Sequence, residues 1–348
     1  MKKVLVLGGT GAMGVYLVPK LIERGYAVDV VSLDDVTSDT PNLTYIKGNC
    51  MEIDYVGELL KKGYDGIVDF MVYNQDKFEE RHKMFLDNTS HYIYLSTYRI
   101  YANEEHPVKE TSPRLLDAST DAAFLATDDY SLYKAKGENV LLSSKYTNWT
   151  AIRPAITYSK RRFQLVILEA PYVVGRTLHG KKLVLPKQAK DVQATMSWAG
   201  DVAEMIARLL FNPKAYREIF SVCTAEHMTW GEVADIYKEL IGLDAVWVDM
   251  EDFLGILTHN SKNPMVARYQ LIYDRLFDRI MDNTKVLEVT GMKQSELTTL
   301  YDGLKRELAG VNANTFTEFP NSAVMDQYLR ERGLGGRTAA QELEADNL

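Results

Sequence analysis

A short apolar strand that runs straight into clustered glycines and then into a helix leaves a chain few architectures. Residues 3–14 read KVLVLGGTGAMG. The continuous apolar run marks a strand buried on both faces. Gly8, Gly11 and Gly14 come next in G-x-x-G-x-x-G spacing. Glycines let the backbone turn tightly and approach a pyrophosphate, and the succeeding helix turns its N-terminal amides toward the anion. Between a strand and a helix, this turn predicts a dinucleotide site. A glycine turn kept only for packing is the plain alternative.

Beyond the turn, strands and helices alternate. The helix VYLVPKLIERG stops at Gly25, with Pro19 a predicted kink. YAVDVVSL, LTYIKGN, YDGIVDFMV, HYIYLST and WTAIRPA read as further strands. DYVGELLKKG, KFEERHKMFLDNT and a long segment from Tyr130 to Ser144 read as helices between them. The expected class is therefore α/β, with a Rossmann-type doubly wound parallel sheet over residues 1–160 that binds ligands at the carboxyl ends of its strands. After that the alternation weakens, and VILEAPYVVGRTLHGKKLVLP reads as irregular structure around a short helix. The chain is expected to return to the sheet at 195–225, through the amphipathic WAGDVAEMIARLLFNP and the strand-like EIFSVCT. Residues 161–194 and 226–330 are expected to form a smaller, mixed C-terminal substrate lobe, and 331–348 a loose polar tail.

Charge narrows the partners. Forty-eight acidic against 40 basic side chains give net charge −8, with no electrostatic reason to meet nucleic acid or an anionic membrane. No stretch is apolar for long enough to span a bilayer, and the first apolar run is too short for a signal peptide, so a soluble, cytoplasmic protein is expected. Cys50 and Cys223 lack metal-ligand spacing and read as buried free thiols in a reducing compartment. The six histidines show no ligand pattern either, so no metal is expected, and His82, His91 and His179 read as surface or packing residues. At the end of the second strand, Ser32 stands where an acid is expected, then Asp34 and Asp35, with no arginine nearby. That favours NAD, with Asp34 on the ribose hydroxyls. NADP is the alternative if the aspartates only open the next loop.

The stretch DDYSLYKAKGENVL, 128–141, holds two tyrosines and two lysines, and alone it is equally a polar helix face. Its neighbours decide. GGTGAMG, IKGNCMEID, YLSTYRIYA, VKETSP, YSLYKAKGENVL, AIRPAITYS, WAGDVAEMI and DNTKVLEVTGM occur in one order over roughly residues 3–300. In these the chain resembles the extended short-chain dehydrogenase/reductase family, in its NAD-dependent epimerase/dehydratase branch. The resemblance implies a catalytic set of Thr97, Tyr130 and Lys134, because YSLYKAKGE reproduces Y-x-x-x-K-x-x-G-E. Tyr133 and Lys136 are spaced by three and do not. Tyrosine and lysine at i and i+4 share a helix face. An ammonium beside a phenol favours the phenolate, which can take a hydroxyl proton as hydride leaves.

The resemblance also implies cofactor contacts from Gly8, Thr10, Gly11, Ala12, Met13, Gly14, Ser32, Asp34, Asn49, Cys50, Phe70, Met71 and Lys134. Arg153-Pro154 would lie by the nicotinamide, and Asn49 stands where the family carries an adenine-contacting aspartate. For substrate it points to Tyr98 and to the basic Lys160, Arg161, Arg162 and Arg176, which would neutralise the diphosphate of a nucleotide-sugar. Family dehydratases carry Asp-Glu directly after the catalytic Thr; here Tyr98 and Arg99 stand in those places, which argues against a sugar 4,6-dehydratase. The segment from Phe78 to His91 is shorter than the region that supports the family's common homodimer, which leaves that dimer open. The expected activity is oxidation and re-reduction of a hydroxyl or keto carbon, as in a nucleotide-sugar epimerase. The alternatives are a carbonyl reductase of a small substrate and a non-catalytic, RNA-binding or regulatory protein on the same fold.

Overall fold

The computed structural model describes residues 1–316 and 321–336, and the chain forms two compact units. The first comprises residues 1–162, 194–227 and 277–306. Its centre is a sheet of seven parallel strands: β1 (Lys3–Leu7), β2 (Ala27–Ser32), β3 (Leu43–Lys47), β4 (Gly66–Asp69), β5 (His91–Leu95), β6 (Trp149–Ile152) and β7 (Glu218–Phe220). Their order is β7-β6-β5-β4-β1-β2-β3. The winding reverses between β1 and β4, where Leu7 lies opposite Asp69, so both strands open into one crevice at their carboxyl ends.

Alternating side chains of the inner strands supply two cores. Val4, Val6, Val28 and Val30 pack with α1 (Gly14–Glu23) and the later helix Ala199–Leu209. Leu5, Leu7 and Ile67 face the other way, with α2 (Ile53–Leu60) and α3 (Gln75–Asp87). A strand buried on both sides has no polar face to offer, which is why these runs are continuously apolar. Pro19 lies inside α1, at its sixth position.

Residues 277–306, expected in the second lobe, belong to the first unit. Arg279 donates to the carbonyls of Tyr101 and Ala102, Asn283 donates to that of Cys223, and Val286 enters the first core. These long-range contacts leave no mark on the local sequence pattern.

His91 opens β5 and is fully buried. Its Nδ1 accepts from the Phe211 amide at 2.8 Å and its Nε2 lies 2.8 Å from the Thr150 hydroxyl, which itself donates to the Ala215 carbonyl. The pattern demands a neutral ring, and burial holds its pKa down at about 4. Charging it would aim a proton at the Phe211 N–H. The protein should therefore lose about 3 kcal/mol as pH falls from 6.5 to 4, the window between the unfolded and folded values. Urea unfolding across that range checks this, since His91→Gln should remove that part of the slope.

The second unit comprises residues 163–193, 228–276 and the described part of 307–348. The stretch read as irregular holds a π-helix, Pro171–Arg176, and a strand, Leu183–Pro186, which pairs in parallel with Ala245–Val248. The helix Trp230–Ile241 opens with a capping box between Thr229 and Glu232 and closes at Gly242 in the left-handed region. The helix Ser322–Glu331 completes the unit. Of the expected tail, residues 337–348 lie outside the described residues.

Candidate active site

The glycine turn comes directly after β1. Gly8 sits at φ +72 and donates to the Val31 carbonyl at 2.8 Å. A Cβ on Gly14 would lie 2.2 Å from the Gly9 carbonyl oxygen, so only glycine lets α1 start this close to the turn. No side chain caps the N-terminus of α1 and no acid stands in its first turn; the Val15, Tyr16 and Leu17 amides donate to the Gly11 and Met13 carbonyls of the turn itself.

Most of the expected cofactor residues gather around this turn. A Cβ on Gly8 would meet Met71 Sδ at 3.3 Å and Phe70 Cβ at 3.5 Å, so the ends of β1 and β4 touch. Thr10 is buried, while Ala12 and Met13 are half-exposed. Cys50 is a buried thiol against the Val31 carbonyl, its pKa pushed up to about 12 by burial. Beyond β2, Ser32 Oγ accepts from the Asp34 amide at 2.9 Å, Asp34 is exposed, and Asp35 pairs with Lys47. The Asn49 side chain accepts from the Met51 amide and donates to Glu52.

The expected acid–base residues come from two elements. Thr97 stands just past β5, is buried, and accepts from the Arg99 amide at 3.2 Å. The helix α4 (Tyr130–Ser143) is capped by Asp129, which accepts from the Ser131 amide and hydroxyl. Tyr130 is thereby the first helical residue, with Lys134 one turn on. Lys134 is fully buried, and its ammonium donates to the Leu95 carbonyl at 2.5 Å and the Met71 carbonyl at 3.5 Å. Nζ lies 5.9 Å from the centre of the Tyr130 ring. Desolvation lowers its pKa to about 8, against the pull of Asp69 and Glu138. Tyr133 packs edge-on against Tyr130 at 5.5 Å.

Two expected roles are corrected. The Arg153 guanidinium is committed inside the protein: it donates to both carboxylate oxygens of Glu138 at 2.8 and 2.7 Å, to Tyr101 Oη at 2.7 Å and to the Glu110 carbonyl at 2.9 Å. It is 2% exposed, and a buried guanidinium so fully engaged has little left to offer a cofactor. Neighbouring Pro154 accepts from the Tyr98 amide. Arg176, expected on a substrate phosphate, is fully buried in the second unit, bonded to Ser322, the Lys182 carbonyl and Asp326. It holds the helix Ser322–Glu331 in place. Of the other basic candidates, Lys160 and Arg161 are exposed and Arg162 is half-buried, while Tyr98 is buried with Arg279 over its ring at 5.3 Å.

Two acids escaped the sequence reading. Asp69 ends β4, 1% exposed, accepting from the Met71 amide and from Tyr92 Oη at 2.8 Å; burial pushes its pKa up to about 6. Its signal was a lone carboxylate in the apolar run IVDFMV. Glu138 accepts from the Ser96 hydroxyl at 2.5 Å as well as from Arg153, tying the residue before Thr97 to α4. Its signal was the final E of Y-x-x-x-K-x-x-G-E. Among the described residues, no group of three or more His, Cys, Asp or Glu is placed to hold a metal, and no helix is long and apolar enough to cross a membrane.

The model of the NAD dependent epimerase/dehydratase family matches residues 4–223. The chain is 26% identical over 251 residues to the chloroplast stem-loop binding protein of 41 kDa b from Arabidopsis thaliana, a match covering 67% of this chain and 61% of that relative's length. Among solved structures, the dTDP-glucose 4,6-dehydratase of Bacillus anthracis, in complex with NAD, superposes with TM-score 0.66 at 17% identity, over 88% of this chain and 96% of that one. The UDP-glucose 4-epimerase of Thermus thermophilus, also in complex with NAD, gives 0.63 at 18% identity, over 89% and 100%.

Proposed function

The chain belongs to the NAD dependent epimerase/dehydratase family, and on that premise we propose that it is an NAD-dependent epimerase or oxidoreductase acting on a hydroxyl or keto carbon, with a nucleotide-sugar as substrate. The observation that carries this reading is Lys134: a fully buried ammonium one helical turn from Tyr130, held on the carbonyl of Leu95, which ends β5 two residues before Thr97. Burying such a charge is expensive, and a folded protein keeps it where chemistry uses it.

In this reading Gly8, Thr10, Gly11, Ala12, Met13 and Gly14 cradle the pyrophosphate at the positive end of α1, whose first turn carries no acid. Ser32 and Asp34 take the adenosine ribose, Asn49 and Cys50 border the adenine, and Phe70 and Met71 form the wall beside the turn. Bound NAD supplies hydride acceptance and return. Thr97 holds the reacting oxygen by a hydrogen bond, Tyr130 takes its proton and later gives it back, and Lys134 favours the phenolate. With Tyr98 and Arg99 after Thr97, the site lacks the acid pair of a dehydratase, which favours redox chemistry without water loss. Lys160, Arg161 and Arg162, in the first unit, would supply substrate contacts.

A second reading rests on the Arabidopsis relative, whose name is that of a stem-loop binding protein. The net charge of −8 opposes it. One experiment separates the two: thermal unfolding with NAD, NADH, NADP, NADPH and a stem-loop RNA at low salt. NAD and NADH should stabilise by about 2.7 kcal/mol at a hundredfold excess over the dissociation constant. Tyr130→Phe should keep that shift and lose about 10²–10⁴-fold in turnover, in a screen of UDP- and dTDP-sugars. Stabilisation by RNA alone would establish the second reading instead, and no response to any dinucleotide would end the first.

A further inference from the structure

Tyr130 has a second cation. The short 3-10 turn Tyr98–Ile100 carries Arg99 back over α4, where its guanidinium carbon lies 5.2 Å from the centre of the Tyr130 ring. Lys134 approaches the same ring from the next turn of α4, at 5.9 Å. The Arg99 side chain is 14% exposed, and its amide is bonded to Thr97 Oγ1, so the turn that sets Thr97 also sets the guanidinium.

We propose that Arg99 is a positioning residue for the reaction, a second cation that works with Lys134 to hold Tyr130 ready to accept a proton from the substrate hydroxyl. This rests on the reading of Tyr130 as the acid–base group. With cations on two sides the site is set for alcohol oxidation as its first step: the hydroxyl proton passes to Tyr130 Oη, the hydride on the carbinol carbon would go to the nicotinamide of bound NAD, and the neutral phenol then stands ready to return the proton.

The charged and titratable groups around Tyr130 are few enough to test. Arg99 comes from the turn after β5, and Tyr94 from β5 itself, coupled electrostatically to Tyr130. Lys134 and Tyr133 lie on α4, and Asp128 and Asp129 just before it. Asp129 is the counter-charge, 3.7 Å from Arg99, which tempers the guanidinium without cancelling it. At these distances, in a half-buried site, removing one cation should shift a proton equilibrium by about tenfold.

The test tracks the Tyr130 Cζ signal of ¹³C-tyrosine-labelled protein through a pH titration, assigned by its loss in Tyr130→Phe. Arg99→Gln should move the ionisation of Tyr130 to higher pH by about tenfold in proton affinity, while Arg99→Lys, which keeps the charge, should stay near the native position. Asp129→Asn keeps the helix cap but removes the counter-charge, and should move the ionisation to lower pH; it serves if Arg99→Gln does not fold. Native and Arg99→Gln titrating together, or Asp129→Asn leaving the ionisation unmoved, would overturn the proposal. The titration needs no substrate. Thermal shift with NAD on the same samples reports separately on the cofactor reading, so either can fail without the other.

Discussion

Arg153→Met should lower the unfolding free energy by about 3–5 kcal/mol, read from urea denaturation at pH 7. Arg153 and Glu138 are each under 3% exposed, and the guanidinium meets both carboxylate oxygens. Removing the cation leaves Glu138 buried with only the Ser96 hydroxyl and, at 3.5 Å, one Arg114 nitrogen. It also removes the donor to Tyr101 and the tie to the Glu110 carbonyl. An isolated buried charge costs far more than an intact pair returns. The double change Arg153→Met, Glu138→Leu should therefore recover most of the loss, since apolar side chains of similar volume replace a buried pair with little penalty. A double variant as unstable as the single one would show that packing around the guanidinium, and not charge, sets the effect.

Lys134→Met should do the reverse, raising the stability of the cofactor-free protein by about 2 kcal/mol at pH 7. Lys134 is wholly buried and its pKa falls from 10.5 to about 8, mainly through desolvation. A depressed folded value means that the unfolded chain holds the proton more tightly. The penalty is thus full below pH 8 and fades as pH rises to 10.5. At about 1.4 kcal/mol per unit it comes to some 3 kcal/mol, reduced by the lost bond to Leu95 and by the carboxylate of Asp69 left without its cation. The gain should shrink between pH 8 and 10.5, and in a turnover assay the same variant should be inactive. A stabilised but inactive protein is what a site selected for chemistry over stability yields. A destabilised one would mean that Lys134 is a structural anchor.

The sheet was legible because its strands announce themselves. VLVL, VDVV and YIYL are short and buried on both faces, and each runs into a glycine or a serine, Gly8, Ser32 and Ser96. The strands of the second unit were not. Leu183–Pro186 and Ala245–Val248 are four residues each and pair across the intervening chain, so neither carries a local signature. Arg176 misled for the same reason: its carboxylate partner, Asp326, stands 150 residues later, and nothing near Arg176 marks it as interior. At the site, the spacing of Tyr130 and Lys134 anticipates one helix face, and α4 has both. Arg153 shows where motif matching stops, since the motif marks the position while Glu138 and Tyr101 decide what its guanidinium does.

The placing of β7 sets a timetable for synthesis. Its partner, β6, ends at Ile152, and Glu218 comes about 65 residues later. At roughly 5–20 residues per second, a ribosome takes about 3–13 s to make that stretch. During those seconds β6 offers a row of unpaired backbone groups that Arg217 and Phe220 later satisfy through Trp149 and Arg153. The nascent chain thus emerges with an open, apolar sheet margin on which passing chaperones or a neighbouring copy can pair. A message broken before the codon for Glu218 would leave that margin open for good.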